Sequence, residues 1–386
     1  MAALLAAATS VMVTTAPASA IVPVITDPPL LDIGSISAGA NHACAVITTQ
    51  TMADCWGNNA SRQLGTAFTD DTDTPMMVSE LGGAVTIAAG ASHTCALLDN
   101  RTVKCWGKNT SGQLGTGNNT NASFPLMPVV GLSNVTAIST GANHTCARLS
   151  DKTVRCWGDN SSGQLGNNSL TNSNTPVSVG GLGDVAAISA GANHTCARLA
   201  DRTVRCWGAN GSGQLGNNTT TGSKVPVTVS GISSANAIAL GDNHSCVVLT
   251  DKTARCWGAN GSGQLGNNSL TNAKTPVTVS GLATASTIDA GGAHTCALLG
   301  DKTLRCWGSN TKGQLGDNST TNAKTPVTVV GISTAASVTA GGAFTCALLA
   351  DTTAKCWGGN TKGQLGIGST SDTKKPTIAV KNPMPW

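Results

Sequence analysis

A phrase of about fifteen residues recurs seven times along this 386-residue chain at a step of fifty residues. In the third copy it reads HTCARLSDKTVRCWG, from His144 to Gly158, and a GQLG tract follows at Gly163 to Gly166. A fixed period of this length indicates one structural unit per copy, and units that bury their faces only against neighbours form one repeat domain. The period is marked by Trp56, Trp106, Trp157, Trp207, Trp257, Trp307 and Trp357.

Each copy predicts four short β-strands, which in the fourth copy are residues 185–190, 195–199, 203–207 and 226–229. These runs are rich in Val, Ile, Thr or small apolar residues and are bounded by Gly, Asn or Asp. No stretch has a helical period with caps, so the chain is all-β. Four-stranded units repeated seven times favour the radial blades of a β-propeller over a sandwich or a solenoid, with the Ala-rich first strands around the axis.

Two cysteines per copy flank the predicted hairpin. A hairpin centred near Asp151 places Cys146 opposite Cys156, at a separation that suits a disulfide. Zinc and redox sites usually use Cys-x-x-Cys spacing, which is absent; free buried thiols in a reducing cell are the remaining alternative. The predicted pairs are Cys44 with Cys55, Cys95 with Cys105, Cys146 with Cys156, Cys196 with Cys206, Cys246 with Cys256, Cys296 with Cys306, and Cys346 with Cys356.

The first copy has one extra residue between its cysteines. This insertion predicts a bulge or a longer turn around residues 49–53.

Charged residues make up only 11% of the chain, and the net charge is +4. Basic residues recur singly, one per copy at equivalent positions, as at Arg155 and Arg205. A nucleic-acid interface would need them concentrated in a stripe or tail, so no nucleic-acid binding is expected.

Residues 1–20 form an apolar run that ends in Ala18-Ser19-Ala20, a pattern typical of a signal peptide although the basic start is absent. A flexible Ala/Thr-rich leader is the alternative, but the cysteine pattern agrees with export. No other run approaches the 18 or so apolar residues of a membrane span, so a soluble body is expected. The predicted divisions are a signal peptide at 1–20, an N-terminal segment at 21–33, the propeller at 34–380 and a tail at 381–386.

Closure of the ring has two candidates. The last copy supplies its own outer strand at residues 376–380, and residues 22–26 resemble a surplus outer strand before the first copy. Either terminus can therefore complete the seam.

The order of strand, Gly-x-x-His-Thr/Ser, hairpin, Trp-Gly and Asn-x-x-Gly-Gln-Leu-Gly resembles the repeat of the regulator of chromosome condensation family over about residues 34–380. The paired cysteines and the leader point to a secreted bacterial type of that family. The resemblance implies a seven-bladed β-propeller, the fold that the strand count already favours.

Histidines occupy one equivalent position in six copies, which invites a metal-binding or proton-relay hypothesis. Phe344 replaces them in the seventh copy, and a seven-fold ring would separate neighbours too widely to share a metal. We therefore interpret the imidazoles as structural, each fastening the corner between the first and second strands. The six are His42, His93, His144, His194, His244 and His294.

The other recurring polar and aromatic residues also have structural interpretations. The seven tryptophans are expected to pack between blades rather than to stack on ligands. Turn aspartates such as Asp151, Asp201, Asp251 and Asp301 suit Asx hydrogen bonding. The sequence contains no nucleophile elbow, phosphate-binding loop or cluster of His and carboxylates, so no catalytic, cofactor or metal residue is predicted.

Family roles include nucleotide exchange on a small nuclear GTPase, ultraviolet-B reception in plants and inhibition of β-lactamase by secreted bacterial proteins. Short uniform connections disfavour exchange, and Ala142-Asn143 stands where the photoreceptor repeats carry Trp and Arg. The leading hypothesis is a monomeric, non-enzymatic scaffold, secreted, periplasmic or on the cell surface, that presents loops 68–74, 167–175 and 217–224 to an unidentified protein or cell-envelope ligand. A carbohydrate-binding or adhesive module is the alternative. A hydrolase or lyase is the least favoured.

Overall fold

The structure, a computed structural model, describes residues 29–122 and 126–380. Across this part of the chain the regular elements are all β-strands, 27 in total. They form six four-stranded antiparallel sheets and one three-stranded sheet, the blades of a seven-bladed β-propeller. The predicted signal peptide at 1–20, the candidate closure strand at 22–26 and the tail with Trp386 lie outside the described residues.

The strands follow the fifty-residue period, one blade per copy. The first three blades contain β1 (Ile33–Ala38), β2 (His42–Ile47), β3 (Met52–Gly57), β4 (Thr72–Met77); β5 (Ala84–Ala89), β6 (His93–Leu98), β7 (Val103–Gly107); β8 (Val135–Thr140), β9 (His144–Leu149), β10 (Val154–Gly158) and β11 (Ser173–Ser178). The fourth and fifth contain β12 (Val185–Ala190), β13 (His194–Leu199), β14 (Val204–Gly208), β15 (Ser223–Thr228); β16 (Ala235–Leu240), β17 (His244–Leu249), β18 (Ala254–Gly258) and β19 (Ala273–Thr278). The last two contain β20 (Ala285–Ala290), β21 (His294–Leu299), β22 (Leu304–Gly308), β23 (Ala323–Thr328); β24 (Ala335–Ala340), β25 (Phe344–Leu349), β26 (Ala354–Gly358) and β27 (Thr373–Ile378).

The predicted strands of the fourth copy agree with the structure to within a few residues. β12 has the predicted bounds, β13 begins one residue earlier, and β14 begins and ends one residue later than predicted. The outer strand β15 begins three residues early because Ser223 pairs with Gly208 beyond a bulge in β14. In the second blade, Lys104 pairs with Pro128 and Gly107 pairs with Ala122 on the edge of β7, and residues 123–125 lie outside the described part of the chain.

The strand order gives the ring two faces. Each first strand leads into a Gly-x-x-His corner, and the long connection between the third and fourth strands begins beside it, as shown by Asn58 N donating to Asn41 O at 2.8 Å. We call this side the corner face. The tight turns between the second and third strands lie on the opposite side with the connections between blades, and we call that side the turn face.

The hydrophobic core consists of interfaces between blades. Between the third and fourth blades, for example, Leu165 and Val185 pack with Trp207, and all three side chains are fully buried. Both faces of each blade are therefore covered, which explains why apolar residues occur on both sides of the strand alternation. Burying a tryptophan in each interface contributes a large apolar area to stability.

The GQLG tract fits beneath the tryptophan of the next blade. Gly163 and Gly166 have φ values of +82° and +68°, in the left-handed region that glycine adopts without steric cost. The Trp207 indole N–H donates to the Gln164 carbonyl at 2.9 Å, between the two glycines. A Cβ added at Gly166 would lie 2.8 Å from that indole nitrogen, so no larger residue fits there.

We expect Gly166→Ala to destabilise the propeller more than Gly181→Ala. Gly181 also has a positive φ, +64°, but a Cβ there meets nothing within 4 Å. The control should lose about 1 kcal/mol from backbone strain alone. Gly166→Ala should lose a further 1–3 kcal/mol or so because its methyl group overpacks the interface. Urea unfolding of both variants measures the difference, and equal losses would contradict the close fit.

Every disulfide joins the two central strands of one blade. The structure contains the seven pairs expected from the hairpin register, with Cα atoms 4.1 Å apart and the cysteines buried. Cys146 lies directly opposite Cys156, in a hairpin centred on Asp151. In the first copy the register from Cys44–Cys55 to Ile47–Met52 is unbroken, so the extra residue lengthens the turn rather than forming a bulge.

The first and last blades close the ring mainly by side-by-side packing. The last copy provides its own outer strand β27, and the described N-terminal residues add a short pairing beside its end, where Leu30 N donates to Ala379 O at 3.0 Å. Trp56 donates to the Gln364 carbonyl at 2.9 Å, as in the other interfaces. The seam therefore keeps the tryptophan hydrogen bond of the six remaining contacts between blades.

Candidate interaction surfaces

The six histidines connect neighbouring blades through buried hydrogen bonds. His144 Nε2 lies 2.9 Å from the hydroxyl of Thr195 in the next blade. That hydroxyl in turn donates to the carbonyl of Gln164, which also receives the Trp207 indole N–H. We expected the histidine to fasten the corner of its own blade; that partner is wrong, because the side chain reaches across the interface instead.

This geometry sets the tautomer of each imidazole. Since the threonine hydroxyl gives its only proton to the glutamine carbonyl, it must accept from the imidazole, so Nε2 carries the hydrogen. Nδ1 is then a bare acceptor, and in all six histidines it is buried and has no hydrogen-bond partner in the described part of the chain. Burial lowers the pKa of these histidines to about 4 for His42, His144 and His294, and to about 3 for His93, His194 and His244.

The seventh interface replaces both ends of this hydrogen bond. Phe344 stands at the histidine position of the last copy, and Ala43 stands at the threonine position of the first copy. Both are fully buried in the cluster that closes the ring. Replacing donor and acceptor together by apolar groups avoids an unsatisfied buried polar atom, which explains why the two departures occur at one interface.

The turn aspartates cap their own turns. The Asp151 carboxylate accepts from the backbone N–H and the hydroxyl of Thr153, at 3.0 and 2.7 Å. The same pair recurs in the following copies, and these hydrogen bonds are the main cause that lowers the pKa of Asp151, Asp201, Asp251, Asp301 and Asp351. These carboxylates are structural and stay ionised at neutral pH.

The central channel contains two carboxylates that we did not single out from the sequence. The first strands of all seven blades line it and enclose about 290 Å³. Asp289 accepts from Ala340 N at 2.8 Å, the role that Ser139 plays toward Ala190, and burial raises the pKa of Asp289 to about 6. Asp242 lies at the mouth of the channel on the corner face, and burial raises its pKa. Comparing equivalent positions among the copies would have identified both.

Neither a group of metal ligands nor a membrane-spanning helix occurs within residues 29–122 and 126–380. In these ranges, no three side chains of His, Cys, Asp or Glu come together as ligands for a metal ion. None of the described secondary structure is a helix with the length and hydrophobicity needed to cross a bilayer.

The long loops of the corner face are held in shape by a buried asparagine. The Asn160 side-chain N–H groups donate to Asn167 Oδ1, Ser169 O and Thr171 O at 3.0–3.1 Å, and its oxygen accepts from Leu165 N at 3.0 Å. Equivalent asparagines are buried in every copy: Asn59, Asn109, Asn210, Asn260, Asn310 and Asn360. The loops are therefore preformed, although the sequence suggested only variable polar connections.

The loop tips differ from copy to copy in their exposed side chains. Leu170 and Leu270 are 55% and 53% exposed, at positions where the fourth and sixth copies carry Thr220 and Thr320. Phe68 in the first copy is 66% exposed. Isolated exposed apolar residues are common, but apolar side chains on preformed loops are suitable contacts for a partner protein.

Comparison with known families identifies repeats throughout the ring. The RCC1-like domain matches residues 128–384, most of the chain. The regulator of chromosome condensation (RCC1) repeat matches residues 55–97 and 103–148, and a second description of that repeat matches residues 84–113.

Individual proteins show the same relationship at lower similarity. The ultraviolet-B receptor UVR8 of Arabidopsis thaliana is 32% identical over 148 residues, 37% of this chain and only 33% of the receptor. Human WBSCR16 has a TM-score of 0.77 at 20% identity, covering 86% of this chain and 94% of its own. Prp20p of Saccharomyces cerevisiae has a TM-score of 0.76 at 22% identity, covering 92% and 88%. The two structures establish a shared fold.

Proposed function

Because this chain belongs to the RCC1-like domain family, we propose that it is an exported, non-enzymatic scaffold whose corner-face loops bind another protein. Prp20p, which shares the fold, binds Gsp1p and histones. A propeller suits this role because a rigid ring can present many loops on one face without moving its core.

The observation that carries the proposal is the contrast between constant loop frames and variable loop tips. The buried asparagine recurs in all seven copies, while the exposed residue four positions after each GQLG tract changes between leucine and polar side chains. The hydrogen bonds of the recurring asparagine keep the loop backbones in shape. Variable tips are what a surface needs to contact one partner that lacks seven-fold symmetry.

Two further observations support export and protein binding over sugar binding. Seven disulfides form and persist most readily in an oxidising compartment such as the periplasm or the extracellular space. All seven repeat tryptophans are buried, so they do not offer the flat aromatic faces that sugar sites commonly use.

We expect the triple variant Phe68→Ser, Leu170→Thr and Leu270→Thr to lose its protein partner while keeping its stability. The two leucines become the residue that other copies carry there, and Phe68 becomes the serine found at the equivalent Ser169. Because all three side chains are more than half exposed, the melting temperature should change by only about 1 °C. Partner recovery should fall at least tenfold in affinity capture from the secreted and envelope fractions of the source cells.

The comparison needs a matched control on the opposite face. Val85 is 55% exposed near the start of β5, on the turn face, so Val85→Thr makes an exposed apolar position polar without touching the loops. Capture of one protein by wild type and Val85→Thr, but not by the triple variant, supports the proposal. Equal capture by all three proteins would place binding elsewhere, and the absence of a specific protein would refute the scaffold role.

A further inference from the structure

Two neighbouring blades carry an arginine where the other five have an aliphatic residue. Arg148 in β9 and Arg198 in β13 lie near the turn-face ends of their strands. The equivalent residues in the other copies are Val46, Leu97, Val248, Leu298 and Leu348, which are only 0–8% exposed. A guanidinium group therefore occupies an interface between blades that is otherwise apolar, which is costly unless the group has a partner.

Among the described residues, Arg148 has hydrogen-bond partners but Arg198 has none. Arg148 Nε donates to Val185 O at 2.6 Å and its Nη1 donates to Thr136 Oγ1 at 2.7 Å. In the next blade Ala186 stands where Thr136 does, so the equivalent hydroxyl is missing. Arg198 Nε is buried without a hydrogen-bond acceptor, whereas its two terminal nitrogens remain accessible to solvent.

The charges around Arg198 are positive. Burial lowers the pKa of its guanidinium, and Arg202 and Arg148 lower it further, with no carboxylate acting in the opposite direction. The neighbouring acids are engaged elsewhere, since Asp201 caps Thr203 and Asp184 pairs with Lys152 at 3.1 Å. Arg198 thus has two cationic neighbours, and no carboxylate is hydrogen-bonded to it among the described residues.

We propose that Arg148, Arg198 and Arg202 form a carboxylate-binding subsite on the turn face that takes an aspartate or glutamate side chain of a partner protein. The open terminal nitrogens of Arg198 match a planar carboxylate through two parallel hydrogen bonds. Arg202 is exposed in the adjoining turn and adds a second positive charge at the rim. This subsite lies on the face opposite the corner-face loops, so it stands independently of the proposed function.

The surrounding surface favours a protein carboxylate over a nucleic acid. Each neighbouring turn pairs one basic residue with an ionised aspartate, as in Asp251-Lys252 and Asp301-Lys302. A phosphate backbone would meet alternating charges along the ring rather than a continuous positive stripe. A short acidic segment of a protein needs only the local excess of charge beside Arg198.

The test measures binding of a fluorescein-labelled hexaglutamate peptide by fluorescence anisotropy at low ionic strength, where surface charges are least screened. Arg198→Leu should weaken binding at least tenfold, and the double variant with Arg148→Leu should abolish it. Arg305→Leu is the matched control because it removes one positive charge from β22, two blades away. Its affinity should remain within twofold of wild type.

Thermal unfolding shows whether the variants fold. Arg198→Leu restores the residue found at Leu298, which is 4% exposed, so its melting temperature should rise. Competition then separates the ligand classes: free glutamate should displace the peptide more effectively than inorganic phosphate. The proposal would be overturned if wild type did not bind the peptide, or if Arg198→Leu and Arg305→Leu weakened binding equally. Stronger competition by phosphate than by glutamate, or tighter binding of a 20-nucleotide DNA than of hexaglutamate, would overturn it as well.

Discussion

Reducing the seven disulfides should unfold the propeller at neutral pH. Each bond closes a hairpin loop of ten or eleven residues and contributes roughly 2–3 kcal/mol. Seven such contributions together are comparable to the whole stability of a folded domain, about 5–15 kcal/mol. Circular dichroism of the protein denatured and reduced, then returned to buffer with reductant, should show no β-sheet, whereas oxidised protein returned in the same way regains it.

The controls address single bonds and their connectivity. Replacing only Cys146 and Cys156 by alanine should leave a folded protein with a lower melting temperature, because six bonds remain. Untreated protein should contain no thiol that reacts with iodoacetamide, since all fourteen cysteines are paired. Free thiols in untreated protein, links between copies, or an unchanged melting temperature after complete reduction would contradict the disulfide-stabilised blades.

Acidification should unfold the oxidised protein between about pH 6 and pH 4. The six buried histidines have pKa values of about 3 or 4 in the folded chain and 6.5 when unfolded. The unfolded state therefore binds more protons below pH 6.5, and stability falls as the pH decreases toward the folded values. Stability can change by at most about 1.4 kcal/mol per pH unit for each titrating group, so each histidine costs roughly 2 kcal/mol over this window.

Other groups titrate in different directions or ranges. The turn aspartates have lowered pKa values, so their contribution is present above the unfolded value of 3.8 and is lost only at lower pH. Asp289 has a raised pKa, about 6, and so favours the folded state as the pH falls through that value. Asp242, whose pKa is also raised by burial, acts in the same direction, and these two carboxyl groups do not offset six histidines. Urea unfolding at pH 7.5, 6 and 5 should show the predicted loss.

The seventh interface provides the matched variant for the acid prediction. Introducing His294→Phe with Thr345→Ala reproduces the natural Phe344 and Ala43 pair one blade earlier. The double variant should remain folded at pH 7.5 and lose less stability between pH 7.5 and 5 than wild type does. Stability that is constant from pH 7 to 4.5, or a pH dependence unchanged in the double variant, would show that these imidazoles do not control acid unfolding.

The parts of the fold that depend on neighbours in sequence were predictable. Opposition of Cys146 and Cys156 follows from a turn centred on Asp151, and β12 has its predicted bounds. The predicted start of β15 was less accurate. A bulge in β14 separates the pair formed by Gly208 and Ser223 from the rest of the strand pairing. The carboxyl-capped turns and the positive φ of Gly163 and Gly166 also follow from local chemistry.

The candidate surfaces were less predictable because their members come from different copies. Phe344 is an evident exception among the histidines, but its relation to Ala43 appears only when the last blade packs against the first. Arg198 resembles an ordinary surface cation in the sequence. Its missing acceptor depends on Ala186 in the strand beside it and on the approach of the next blade.

The amino-acid sequence alone determined the unit of this protein: its fifty-residue period, four strands, hairpin disulfide and turn chemistry all arise from residues close together in the chain. Only the tertiary structure decided which copies meet, that histidines bond to the following blade, and that Arg198 Nε is buried without an acceptor among the described residues. The physical reason is that these contacts join residues about fifty positions apart, and the geometry of a closed ring, rather than any local preference, brings them together.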